Sequence, residues 1–385
     1  MSNVSDLLDV VTTYDTDSYL STGDPNATYN FLDFYYKEPI WLQVLFAVCF
    51  GSVTVLGVGG NAIVCYIVLS DPHMRTGTNY FIVNMAIGDI LMAIFCVNFT
   101  FYSTLYFTWP FGIATCKIVS FVQSVSVSVS IYTLVAMTMD RYVAIVHPLK
   151  VKTRSGSSKR KYMIAFIWIG ACAWALPIAI YVSVQSGNGI SSCLESNNWN
   201  SRVYSVLGMV LQYFLSFFVL AIGYWRIGKI LWGQKTLGEM EDTGAKQRTD
   251  AKKRLVKMFA VIVLLFAMNY FPVHVFTILQ DVFPYIHSFY YIKLIYLLVM
   301  LFAMSNCCHS PLIYCWMNAK FRQGFKGVFE CIFLGGMCRG KGCGPKIYHQ
   351  KHRELVVSRS LGDYSQSPSV RRTPRTHNNT DHSMV

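Results

Sequence analysis

The stretch IVSFVQSVSVSVSIYTLVAMTMDRY, Ile118–Tyr142, decides how the rest of the chain is read. It carries no Asp, Glu, Lys or Arg until its end, where Asp140 and Arg141 stand side by side. A charge-free run of this length is enough to cross a bilayer core, which takes about 20 apolar residues. An acid and a base at the end of such a run are costly to place near lipid, at about 2.5–3.5 kcal/mol each in mid-helix on insertion scales. They mark that end as functional.

Six further stretches share the charge-free character: Pro39–Ser70, Ile90–Cys116, Tyr162–Leu194, Val203–Trp225, Met258–Gln280 and Leu294–Ala319. The chain as a whole is 53% hydrophobic and 14% charged, against roughly 25% charged for a soluble domain. A soluble core could supply one or two such runs. Seven in succession predict an all-α membrane protein, a seven-transmembrane helix bundle.

Lys and Arg set the orientation. Lys150, Lys152, Arg154, Lys159, Arg160 and Lys161 cluster between spans three and four, and the segment after Ala319 is also basic. The first 40 residues hold Lys37 against Asp6, Asp9, Asp15, Asp17, Asp24, Asp33 and Glu38. The expectation is an extracellular N-terminus, a cytoplasmic C-terminus and a plasma-membrane location. The net charge of +13 then reads as topology and contact with anionic inner-leaflet lipid, not as nucleic-acid binding. No apolar h-region opens the sequence, so no cleavable signal peptide is expected.

Four parts follow: an acidic outer tail (1–40), the bundle (41–317), an amphipathic inner helix (318–335) and a disordered cytoplasmic tail (336–385). In the inner helix Phe321, Phe325, Val328, Phe329 and Ile332 alternate with bases, the pattern of a helix lying in the membrane interface. Cys331 and Cys338 are palmitoylation candidates beside it. Asn3 and Asn26 are glycosylation candidates in Asn-x-Ser/Thr sequons. The tail hydroxyls are phosphorylation candidates. Of the twelve cysteines, Cys116 and Cys193 are the two on the oxidising side, and they are expected to pair.

Seven spans with Asp140-Arg141-Tyr142 at the inner end of the third resemble the rhodopsin-like (class A) G-protein-coupled receptors. The likeness extends to GNAIV (Gly60–Val64), NMAIGD ending at Asp89, Trp168 and Pro177, Phe266 and Pro272, and SPLIY (Ser310–Tyr314). It implies that Asp140 holds Arg141 at rest. On activation the sixth helix swings out and a heterotrimeric G protein docks, with Tyr224 and Tyr314 stabilising the open state. It also implies a receptor rather than an enzyme, with arrestin and a receptor kinase acting on the tail. Asp89, Asn61, Ser130, Asn306 and Ser310 match the family's sodium site. A protonated, hydrogen-bonded Asp89 without Na⁺ is the alternative.

Several positions depart from the family pattern. Tyr270 replaces a tryptophan in FAMNYFP, and Ser310 replaces an asparagine. Ser216 replaces the proline that bulges helix five, which predicts a straighter helix that shifts Gln212. Lys252 stands where many receptors carry an acid that pairs with Arg141, so that lock is not expected.

The ligand class can be narrowed. Gln123 stands where aminergic receptors need a carboxylate, and Met304 where photoreceptors need a lysine. Gln123, Gln212 and Asp281 resemble the neuropeptide Y receptor group. MRTGTNYFIVNMAIGDILMAIFCVNFTF (Met74–Phe101) and AMSNCCHSPLIYCWMNAKFR (Ala303–Arg322) resemble RYamide/luqin, neuropeptide FF and tachykinin receptors. The resemblance implies an extracellular neuropeptide ending in Arg-aromatic-amide, met by Gln123, Gln212, Asp281, Glu195 and Tyr270. Interhelical hydrogen bonding is the other reading of the two glutamines. A chemokine-like or lipid ligand is the alternative within the family. A seven-helix transporter is the alternative outside it, but such a protein would want repeated ionisable residues or internal repeats.

Overall fold

The computed structural model describes residues 38–146, 157–187, 190–195, 199–233, 243–283, 286 and 291–333. Expectations for Asn3, Asn26, Cys338 and the two tails fall outside these residues. Six helices are long and apolar enough to cross a membrane: α1 (Ile40–Ser70), α2 (Gly77–Tyr106), α3 (Gly112–Val146), α4 (Arg160–Tyr181), α5 (Arg202–Gly233) and α6 (Thr249–Val282). The seventh span, α7, is a pair of helices, Ile292–Met304 and Asn306–Met317, bent by 41°. A shorter helix, α8 (Ala319–Phe333), follows. The protein is a multi-pass membrane protein with a seven-helix bundle.

The surface shows what solvent the bundle is built for. Phe166 and Ile180 are each 72% exposed and Trp316 75%. Rings and branched chains in that state would drive aggregation in water. Around a bundle in lipid they face a medium as apolar as themselves.

Local chemistry sets the turns. Asp71 accepts from the His73 N–H at 2.8 Å, with Pro72 opening the short 3₁₀ turn Pro72–Met74. Thr76 accepts from the Asn79 N–H at 3.4 Å at the start of α2, an N-cap. Phe107 ends α2 at φ 51° and Gly112 opens α3 at φ 78°, a backbone region in which glycine is at home.

Between α4 and α5 the chain is not helical. The strands β1 (Val182–Gly187) and β2 (Ile190–Glu195) form an antiparallel hairpin with Val184 opposite Cys193. The bundle itself is all-α, as expected, and the hairpin belongs to the connection between spans four and five. The alternating VSVQS and ISSCLE patterns suit a strand pair better than a helix. The Cys116–Cys193 disulfide ties the hairpin to the start of α3 (Cα–Cα 5.7 Å). The Trp109 N–H donates to the Ser191 carbonyl at 2.5 Å and the Ser192 hydroxyl to the Phe107 carbonyl at 3.0 Å. The hairpin therefore lies on the α2–α3 turn, with Trp109 buried beneath it.

Helix α5 contains a π-helical turn over Met209–Leu215, directly before Ser216. The expected straight helix is not present. The Ser216 hydroxyl donates to the Leu211 carbonyl, five residues back, at 3.1 Å. A widened turn leaves carbonyls without their usual i+4 partner, and this hydroxyl supplies one. The bulge thus forms without a proline.

Helix α8 packs on the bundle more than its amphipathic pattern suggests. Phe321 and Phe325 are buried, and the Phe321 ring stacks on Tyr314 of α7 at 5.4 Å. Phe329 remains 47% exposed. The apolar face is therefore divided, with its first half buried on the protein and Phe329 stacked on Phe325 at 6.5 Å while half-exposed.

Candidate functional site

Three groups of polar residues lie along the bundle. At the end of α3, Arg141 Nη2 donates to Asp140 Oδ2 at 2.7 Å and also to Thr78 Oγ1 of α2. Asp140 Oδ1 lies 3.9 Å from Arg160 Nε of α4. The acid is therefore shared by two guanidinium groups, and Arg141 by two acceptors. Tyr142 packs beside Ile227, Leu231 and Val256 of α5 and α6. Lys252 is exposed. Arg141 Nε, Tyr224 Oη and Tyr314 Oη are buried without hydrogen-bond partners among the described residues. Buried orphans of this kind hold free energy that a rearrangement can recover.

The middle of the bundle is organised around Asp89, which is 4% exposed. Ser130 Oγ donates to its Oδ1 at 3.4 Å, and its Oδ2 has no partner among the described residues. A recess there is lined by Asp89, Ser126, Ser130, Tyr270 and Asn306, with Met92, Val127 and Cys307 supplying apolar walls. Ser310 is buried, its hydroxyl within hydrogen-bonding reach of the Asp89 carboxylate. Asn61 Nδ2 donates to the carbonyls of Gly57 and Cys307, each at 2.8 Å, and its Oδ1 is buried with no partner among the described residues. Asn61 fastens α1 to α7. Tyr270 packs against Phe266, the rings tilted by 36° with centres 4.7 Å apart. Pro272 and Pro311 both lie inside helices, α6 and α7.

About half a turn of α3 from Ser130, Gln212 Nε2 donates to Ser128 Oγ at 2.6 Å, an interhelical bond from α5 to α3 at the depth of the Asp89 recess. Gln123 is half-buried on α3, and Asp281 is exposed next to the end of α6. Glu195 accepts from the Ser205 hydroxyl at 3.0 Å. The hydrogen bonds of the described residues do not join Asp281 to either glutamine. Lys293 is 7% exposed, 3.9 Å from Glu38 and 5.1 Å from the centre of the Phe107 ring.

Some partners were not read from the sequence. Thr78 holds Arg141. Asn84 accepts from Trp168 Nε1 at 2.8 Å and donates to Thr133 at 2.7 Å, joining α2, α3 and α4. Asn269 is fully buried, with Nδ2 2.7 Å from His309 Nδ1. For Asn84, Asn269 and His309 the signal was a polar side chain inside an apolar run, which needs a partner but does not name it, whereas Thr78 in residues 75–79 (RTGTN) carried no such signal.

Comparison with known proteins decides the family. The profile described as "7 transmembrane receptor (rhodopsin family)" matches residues 60–314. The chain belongs to the rhodopsin family of seven-transmembrane receptors. This receptor is similar to the tachykinin-like peptides receptor 99D of Drosophila melanogaster, 36% identical over 314 residues, covering 78% of this chain and 60% of that one. It is 34% identical to the substance-P receptor of Cavia porcellus over 367 residues (90% and 86% covered) and 33% identical to that of Homo sapiens over 365 residues (90% and 86%). The receptor thus spans less than two thirds of the fly protein and most of the mammalian ones. The family is one of receptors, not enzymes.

Proposed function

We propose that this receptor binds an extracellular neuropeptide and, once occupied, promotes GDP–GTP exchange on a heterotrimeric G protein. The observation that carries this reading is its likeness along most of its length to receptors named for tachykinin-like peptides and substance P. Charge distribution supports an extracellular N-terminus, which puts the hairpin, the disulfide and Asp281 outside and Arg141 inside. A peptide cation fits Asp281, whose exposed carboxylate offers a bidentate partner to an arginine. Half-buried Gln123 offers both donor and acceptor to a C-terminal amide. Gln212 is engaged with Ser128, so it meets the ligand only by exchanging that bond. The proposed ligand is a peptide ending in Arg-aromatic-amide.

Peptide binding shifts the equilibrium only by its higher affinity for the open state. In that state Arg141 leaves Asp140 and Thr78, and the unpartnered hydroxyls of Tyr224 and Tyr314 become available to it. Arrestin and receptor kinases would act on the phosphorylated tail, and anionic lipid on the basic inner surface. A sodium ion suits the Asp89 recess, because Oδ2 is a buried carboxylate oxygen lacking a partner and the hydroxyls of Ser130 and Ser310 lie near it. Hard cations prefer such oxygen donors. Asp89, Ser130, Asn306 and Ser310 would hold the ion.

The test is a dose–response series in cells expressing the receptor with a promiscuous G protein. RYamide, RFamide, neuropeptide Y-type and tachykinin-type peptides are applied as amides and as free acids. The expected result is a response to an Arg-aromatic-amide that is lost in its acid form and weakened by Asp281→Asn. A response to another peptide class alone would keep the receptor and discard the Arg-aromatic ligand. Silence across the panel at confirmed surface expression would discard the Arg-aromatic-amide ligand and leave the receptor family standing.

A further inference from the structure

Helix α6 must move if the receptor is to open, so the bonds that hold it matter. At the Arg141 end the usual ionic partner is missing, since Lys252 is a base and is exposed. Further along, α6 is held by polar contacts of another kind. Tyr213 of α5 donates to the Ala267 carbonyl at 2.7 Å. Asn269 reaches α7 twice, with Nδ2 2.7 Å from His309 Nδ1 and 3.4 Å from Asn306 Oδ1. Asn269 is 0% exposed and its Oδ1 has no partner among the described residues. With Nδ2 as donor, His309 accepts through Nδ1 and carries its ring proton on Nε2.

We propose that Asn269, with His309 and Asn306, is the clasp that keeps α6 closed on α7 in the resting receptor, in place of an ion pair to Arg141. This rests on the signalling role proposed above. The position of Asn269 gives the clasp its leverage. Pro272 has no N–H to bond the Met268 carbonyl, so α6 is weakest there. Asn269 lies three residues before Pro272, on the half of α6 that leads to Lys252, about 4.5 Å along the axis. A tilt of about 20° about the proline moves it by about 1.5 Å, enough to break a bond whose useful range spans about 0.5 Å. Both partners on α7 lie beyond the 41° bend, so the clasp joins the segment of α6 before its proline to the segment of α7 after its break. Asn306 also lines the Asp89 recess. Whatever occupies that recess acts on the clasp through a shared side chain.

Asn269 and His309 are positioning residues, and the test must separate a clasp from ordinary packing. Full-length receptor is compared with Asn269→Leu, His309→Leu, the double variant and His309→Gln, which restores an amide acceptor. Two readouts are taken without ligand. One is G-protein signalling per receptor at the surface. The other is the emission of an environment-sensitive fluorophore at Lys252→Cys in a background with Cys331, Cys338 and Cys343 replaced by serine, in purified receptor in lipid nanodiscs. Each leucine variant is expected to raise basal signalling about fivefold, the lower range of measured coupling between sites, and to shift the fluorophore in the direction of opening. The double variant should exceed neither single one, and His309→Gln should return towards the parent. A fluorophore shift with silent signalling upholds the clasp and defeats the G-protein reading. An unmoved fluorophore in receptors that reach the surface, or additive effects in the double variant, overturns the clasp. Where a leucine variant fails to reach the surface, Asn269→Ala and His309→Phe make the same comparison.

Discussion

Gly60 is small because Pro311 is near. A Cβ placed on Gly60 would meet Pro311 Cβ at 2.9 Å and Cγ at 3.0 Å, both atoms of a ring that cannot fold away. Gly51 sits in the same helix with nothing within 4 Å of its missing Cβ. The two glycines therefore differ in kind. Gly60→Ala forces α1 and α7 apart and is expected to destabilise the receptor by about 1–3 kcal/mol, the usual cost of overpacking. Gly51→Ala is expected to hold or gain a few tenths of a kcal/mol, up to about 1, from helix propensity. Thermal unfolding of the solubilised receptor distinguishes them, and equal midpoints would show that α1 and α7 do not approach as closely as described. The GNAIV motif was visible in the sequence, but the reason for its glycine was not. That reason is a ring 251 positions away by numbering, from residue 60 to residue 311, and only the packed bundle brings it near.

Helix α5 shows how an element can keep a shape after losing the residue usually responsible for it. The missing proline at position 216 suggested a straight helix, yet the π turn over Met209–Leu215 is there. Proline in a regular helix interior costs about 3 kcal/mol or more, through the lost i→i−4 bond and a clash with the carbonyl four residues back. At Ser216 the backbone N–H bonds Tyr213 instead of the residue four back, so a proline there still forfeits one bond but meets a turn already widened away from the regular geometry in which the clash arises. Ser216→Pro is therefore expected to reach the surface within about twofold of the parent, whereas Leu220→Pro, one regular turn later, is expected to be retained inside the cell. Flow cytometry of an N-terminal tag reads both, and equal loss in the two variants would refute the argument. Span existence was legible because charge-free length is a local property. Bulge, hairpin and the break in α7 at Ser305 were not, because each depends on where a hydroxyl or a carbonyl finds a partner. The site divides the same way: Asp89, Asp140, Arg141 and Tyr270 announced themselves by residue type, while Thr78, Asn269 and His309 became significant only as partners.

Across the whole molecule, two kinds of bond hold the receptor, and they fail differently. The bilayer keeps each helix formed, since a backbone group without a partner in lipid costs several kcal/mol. The disulfide acts between elements, closing a separation of 77 residues from Cys116 to Cys193. For a soluble chain, a loop of that size would contribute about 4–5 kcal/mol by restricting the unfolded state. Here α3 and α4 remain in the membrane when tertiary contacts loosen, so much of that freedom is already gone. A contribution of about 2 kcal/mol or less is the consequence, at the low end of measured disulfides. Replacing both cysteines by alanine should therefore leave helical content by circular dichroism unchanged and lower the unfolding midpoint only modestly. The larger effect belongs to the hairpin. Without the disulfide, β2 keeps its hold on the α2–α3 turn through Ser191 and Ser192, bonds open to solvent competition. Amide hydrogen exchange across Ile190–Glu195 should accelerate well beyond that of the helices. Loss of helical content together with the hairpin would mean that the disulfide supports the bundle itself. Unchanged exchange would mean that those backbone bonds suffice.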